Sequence, residues 1–220
     1  MKFALITEGV SEHRIIKHVI SKYFKDNDPE INQIQPKVIN DKQETIGGWN
    51  EVLSYCERQE LEDILIENDY LVIQIDTDQS QTAPFSVNHL KEGHTKTDEE
   101  LHKDIQTKLT SLIKRNILQN YNNKILFAIC IHTIECWLLP IYYTNNNKSA
   151  VINCLDKLNK ELRRKDIHII PVRDKNNAQS IRAYEAVLGN WSRKIEIASS
   201  AQHNVGFKKL IESFDMIPTQ

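Results

Sequence analysis

The chain has 220 residues, 40% of them hydrophobic and 26% charged, and its 28 Lys and Arg against 30 Asp and Glu leave a formal net charge of −2. That length buries a substantial core, as one large domain or one domain with an appendage, and the composition is that of an ordinary globular protein. The near-neutral balance excludes a global basic field, so nucleic acid, if bound, has to be met by a local patch.

In chain order, residues 2–7 read as a short buried strand. Residues 12–24 read as an amphipathic helix through Ile15, Ile16, Val19, Ile20, Tyr23 and Phe24, with Ser11 as its cap. A polar stretch precedes a second strand at residues 36–39, and Gly47-Gly48 breaks the chain before a helix from Trp49 to Arg58. Residues 70–75 are almost wholly apolar, as buried parallel strands are. Residues 78–97 lack apolar periodicity and are expected as a long loop, a feature more often functional than idle. A helix is expected at 98–118, the strongest strand at 124–131, a helix at 148–164, a strand at 167–172, and helices around 177–188 and 204–213. This alternation predicts an α/β fold, a three-layer Rossmann-like domain with a largely parallel central sheet.

No apolar run reaches the ~18 residues of a membrane-spanning helix. Residues 1–7 are too short and too quickly interrupted to be a signal peptide. The four cysteines, Cys56, Cys130, Cys136 and Cys154, contain no C-x-x-C pair, which excludes zinc-ribbon and thioredoxin-type readings. Cys56 and Cys130 lie in apolar runs where a small buried thiol is the default. The expectation is a cytoplasmic, reduced protein.

The acids carry the functional reading. In an open α/β sheet, ligands bind outside the carboxyl ends of the parallel strands. The first strand ends at Glu8, the LVIQIDTDQS strand at Asp76 and Asp78, and IHTIECWLLP places Glu135 just beyond the strongest strand. If these strands are parallel neighbours, the acids converge on one edge of the sheet. Asp76 and Asp78 stand two apart, so in extended chain they share one face and can address one cation. Each acid also has a bland reading: strand ends carry Asp to make turns, a Gly after a strand marks a turn, and Glu135 can be a helix-start acid beside a buried Trp137. Their conjunction is what points to metal-assisted phosphoryl chemistry.

TEGVSEHRIIKHVI and LVIQIDTDQS resemble, in the right order, the Glu-Gly and D-x-D elements of the Toprim domain. Glu8-Gly9-Val10-Ser11-Glu12, Gly47-Gly48-Trp49 and the segment Glu135 to Leu139 further resemble small stand-alone Toprim-like proteins, among them the RloB-like relatives of the OLD nucleases. The resemblance covers most of the chain, clearest over 1–140 as a Toprim-like catalytic core, with 141–220 an α/β extension packed on the same domain. It implies a magnesium-dependent phosphodiester hydrolase, an endonuclease acting on DNA or RNA, with manganese as a substitute ion. It also implies a role in phage defence beside an ABC-type ATPase partner, and it allows a homo-oligomer. The family's catalytic glutamate falls on Glu8 and its metal-binding aspartates on Asp76 and Asp78, while Glu135 completes the acidic site. Glu12 is a further candidate ligand, with a surface helix acid as its bland alternative.

A cation should stand near the transferring phosphate. Arg173 and Lys175, following the expected 167–172 strand, are favoured over the loop residues Lys91 and Lys96, and Lys175 is taken as catalytic. His89 and His94 lack a third partner and read as solvated loop histidines rather than ligands. Ser200 and His203 form no recognisable nucleophilic triad and read as capping residues of the last helix. The competing class is a non-catalytic subunit that binds nucleic acid or an ATPase and keeps the acidic site for structure only.

Overall fold

The computed structural model describes residues 1–218 except 40, 41, 173, 174 and 176, and gives no side chains for 38, 39, 42 and 43. Four parallel strands form the central sheet in the order β2-β1-β3-β4: β1 (Lys2–Ile6), β2 (Glu30–Gln35), β3 (Tyr70–Asp76) and β4 (Ile125–Cys130). Strand β1 sits between β2 and β3, with Leu5 opposite Gln33 and Val72, and β3 pairs with β4 from Leu71–Ile125 to Asp76–Cys130. The Rossmann-like α/β architecture expected from the alternation of elements is what the chain adopts.

The two-residue period of the strands builds the layers. Phe3, Leu5, Val72, Leu126 and Ala128 face one core, lined by α1 (Val10–Tyr23), α6 (Cys154–Arg164), α7 (Ala178–Leu188), α8 (Lys194–Ala201) and α9 (Val205–Asp215). Ala4, Ile6, Leu71, Ile73, Ile75 and Ile129 face the other, lined by α2 (Trp49–Glu57), α3 (Glu60–Glu67), α4 (Asp98–Leu112) and α5 (Arg115–Tyr121). Strands buried on both faces have to be apolar throughout, which is why β1, β3 and β4 stand out in the sequence. The helices beyond residue 141 share the core of α1, with Trp137 stacked on Phe207 at 4.5 Å.

Several boundaries differ from expectation, each for a physical reason. The second sheet strand is Glu30–Gln35, not 36–39; unlike β4 at the other edge of the sheet it is only half-buried, so its sequence EINQIQ carries polar residues. Residues 38–39 instead pair antiparallel with 42–43 outside the main sheet. Helix 98–118 breaks at Ile113, which takes an extended conformation before α5 starts at Arg115. Helices α3 and α8 were not anticipated, being eight residues each and too short for a clear period. Residues 167–172 form no strand; Ile170 is buried, but Asn159 bonds both its backbone groups, 2.8 Å in each case, in place of a ladder. The loop 78–97 buries Phe85 and Val87 and carries a two-stranded ribbon at Leu90–Lys91 and His94–Thr95.

The sulfur atoms of Cys136 and Cys154 are joined in a disulfide, which corrects the expectation of a fully reduced chain, while Cys56 and Cys130 are free and buried as expected. Among the described residues no helix is long and apolar enough to cross a membrane.

Candidate active site

All four strands run the same way, so the chain leaves β1, β3 and β4 on one edge of the sheet. There Glu8, Gly9, Ser11, Glu12, Asp76, Asp78 and Lys175 line a cleft of 510 Å³, closed on one side by Gly47-Gly48 and on another by Thr133 and Val172. The expected convergence of the first two acidic strand ends is therefore present. Glu135 lies behind the cleft, wholly buried in the turn after β4, and reaches it through Lys175.

The residue that organises the acids is Gln74, which sequence reasoning passed over. Its Oε1 accepts from the Glu8 backbone N–H at 3.0 Å, and its Nε2 donates to Asp76 Oδ1 at 2.9 Å. The Asp76 N–H in turn donates to Glu8 Oε1 at 2.6 Å, so the two acids are locked across β1 and β3. One signal was available: Gln74 is the single polar residue inside an apolar strand, two positions before Asp76 and hence on its face. A buried amide in such a strand has to be hydrogen-bonded, and its partners are the functional groups beside it.

Helix α1 starts at Val10 with Gly9 as its N-cap, and Ser11 does not cap it; the Ser11 hydroxyl donates to Glu12 Oε2 at 2.9 Å. Gly9 has an extended backbone, φ −151°, that any residue adopts. A Cβ at this position would meet the Glu12 carboxylate, which would have to swing aside. Conformational freedom matters instead at Gly48, with φ +105°, whose N–H donates to the Glu8 carbonyl at 2.6 Å and ties the Gly-Gly turn to the cleft.

The Asp76-Thr77-Asp78 turn is clamped onto the chain leaving β4. Thr77 Oγ1 accepts from the His132 N–H at 2.7 Å, and the Asp78 N–H donates to the His132 carbonyl at 3.1 Å. Asp78 is left exposed at the mouth while Asp76 is buried.

No protein-family model, curated protein or solved structure matches this chain.

Burial pushes the Glu8 carboxyl up to about 8, helped by the charges of Glu12 and Asp78 and opposed by the Asp76 N–H and Lys175. Burial likewise raises Asp76 well above the ordinary carboxylate range, with Glu8, Glu12 and Glu135 adding to it. Glu12 is raised for the same first reason. Glu135 behaves oppositely. Burial would raise it, but the Lys175 ammonium at 2.6 Å and the Tyr184 hydroxyl at 2.7 Å outweigh that cost and hold it below the ordinary range. Lys175 is the cation lining the cleft among the described residues, 3.9 Å from Glu12 as well, and these carboxylates raise its own pKa against the lowering effect of burial.

Hard carboxylate oxygens in excess over nearby cations are the donor chemistry that magnesium and manganese accept. As the side chains are oriented, no three acidic, histidine or cysteine groups among the described residues stand close enough to ligate one ion. Glu8 gives one oxygen to the Asp76 N–H, Asp76 gives one to Gln74, and Glu135 is bound to Lys175 and Tyr184.

The remaining candidates stand apart. Arg173 lies outside the described residues. Lys91 pairs with Glu100 at 3.1 Å and Lys96 with Asp104 at 2.6 Å, both against α4. His89 Nε2 meets Ser80 Oγ at 2.7 Å, and His94 is exposed. Ser200 Oγ accepts from Trp191 Nε1 at 3.0 Å, and the cap of α9 is Asn204, not Ser200 or His203.

Proposed function

We propose that this chain is a metal-dependent phosphodiester hydrolase of Toprim type, an endonuclease working beside an ATPase partner in phage defence. The observation that carries the reading is the lock between Glu8 and Asp76. Two acids from different strands are held in one cleft at the carboxyl edge of a parallel sheet, with an ammonium facing them. The ATPase partner, the defence role and the nucleic-acid substrate rest on the resemblance of the Glu-Gly, D-x-D and Glu135 to Leu139 segments.

Glu8, Asp76 and Asp78 would hold a magnesium or manganese ion only after turning toward one another from the orientation described, and the ion would then neutralise phosphate charge and acidify a bound water. Gln74 orients Asp76 and fixes the backbone of Glu8, so both acids present a defined oxygen to the cleft. Glu8 is the group assigned to accept the proton of the attacking water, since its carboxylate lines the cleft beside Asp76. Lys175 donates to a non-bridging phosphate oxygen as charge builds on it. In this reading Glu135 serves Lys175 rather than the ion.

One observation favours a second reading, a binding subunit whose acids are structural: Glu135, the acid expected to complete the site, is already neutralised by Lys175. Hydrolysis of plasmid DNA, single-stranded RNA and bis(p-nitrophenyl) phosphate with Mn²⁺ separates the two. Glu8→Gln and Asp76→Asn should each lower the metal-dependent rate by about 10² or more, as loss of a group acting in the transition state does. Wild-type rates in both variants overturn the assignment, and no hydrolysis by the wild type favours the binding subunit.

A further inference from the structure

A buried polar contact behind the cleft is made by a residue far along the chain. Tyr184 lies in α7 with no exposed surface, and its hydroxyl donates to Glu135 Oε1 at 2.7 Å. The same oxygen receives the Lys175 ammonium at 2.6 Å, and Lys175, 22% exposed at its side chain, lines the cleft. A buried carboxylate is costly unless it is paired and hydrogen-bonded, and the Tyr184 hydroxyl is a second donor on the oxygen that Lys175 neutralises. Tyr184 therefore fixes the orientation of Glu135, and Glu135 fixes the ammonium. Glu12 also reaches the ammonium, at 3.9 Å against 2.6 Å for Glu135.

We propose that Tyr184 is a positioning residue that acts through Glu135 to hold the Lys175 ammonium over the acidic cleft, where it meets the phosphate of the substrate. The meaning of the cleft rests on the phosphodiesterase reading, whereas the relay from Tyr184 to Lys175 does not. The hydroxyl sits in the helical segment beyond residue 141, so that segment supplies part of the site rather than only covering the sheet.

The test is Tyr184→Phe, which removes one oxygen and leaves the ring in the core. Trace acetylation followed by peptide mass spectrometry reads Lys175 directly, with the exposed Lys17 as internal standard. Labelling of Lys175 should rise about threefold in Glu135→Gln, where the ammonium loses its anchor, and in Tyr184→Phe, where the carboxylate that anchors it is no longer held in one orientation. With bis(p-nitrophenyl) phosphate and Mn²⁺, kcat should fall about tenfold at unchanged KM, the size expected for one charged hydrogen bond. The double variant Tyr184→Phe/Lys175→Met should be no slower than Lys175→Met alone, since a merely structural tyrosine would give multiplying losses. Unchanged labelling of Lys175, or losses that multiply, overturns the relay. Raised labelling in a protein whose wild type hydrolyses no phosphodiester supports the relay and overturns the phosphodiesterase reading.

Discussion

Glu8 shows how one side chain acquires its properties from its neighbours. Its folded pKa of about 8 stands above the ordinary 4.5 because burial, with Glu12 and Asp78, disfavours the charge. The folded state then keeps a proton that the unfolded chain releases, so stability falls as pH rises from 4.5 toward 8. In chelator-treated protein the melting temperature of the wild type relative to Glu8→Gln should therefore drop between pH 5 and pH 8, a difference that cancels the opposite contribution of His13, whose pKa burial lowers to about 4 in both proteins. A difference between the two proteins that rises over this range would contradict the environment described for Glu8. Ion binding near pH 7 should also expel protons, because carboxylates must ionise to ligate. Titration calorimetry with Mn²⁺ in buffers of different ionisation enthalpy measures this directly, and a heat independent of buffer would count against Glu8 as a ligand. Among single residues, Glu8, Asp76 and Asp78 were legible as acids at strand ends. Tyr184 was not, because it looks like an ordinary helix residue until its partner is located, and Gln74 showed only as a polar residue inside an apolar strand.

At the scale of elements, the close approach of α9 to β4 is the most exacting contact. A Cβ on Gly206 would overlap the carbonyl oxygen of Ile129, backbone that cannot rotate away. Gly206→Ala should destabilise the fold by about 3 kcal/mol, the upper end of overpacking costs, measured as a shift of the urea midpoint at constant slope. A change under about 0.5 kcal/mol would mean that α9 lies further from the sheet than described. The strands were readable for a related reason. Burial on both faces makes β1, β3 and β4 continuously apolar, and a half-buried edge makes β2 polar enough to be mistaken for a loop. Residues 167–172 carry the apolar residues of a strand but no partner strand, and Asn159 satisfies the buried backbone of Ile170 instead.

Across the whole molecule, the disulfide links the turn that carries Glu135 to the start of α6, closing a loop with a sequence separation of 18. By loop-closure entropy, Cys136→Ser/Cys154→Ser should lose about 3 kcal/mol of unfolding free energy under non-reducing conditions. A loss under about 1 kcal/mol would show that the core around Trp137 and Phe207 holds the turn unaided. The sequence by itself determined the α/β alternation, the apolar strands and the acids that end them, because periodicity and strand-end chemistry are local. Only the tertiary structure decided which acids meet. Parallel pairing in the order β2-β1-β3-β4 put Glu8 beside Asp76, and the packing of α7 onto the turn after β4 turned Glu135 toward Lys175 and Tyr184. Such contacts join residues far apart in the chain, and no pattern in neighbouring residues encodes them.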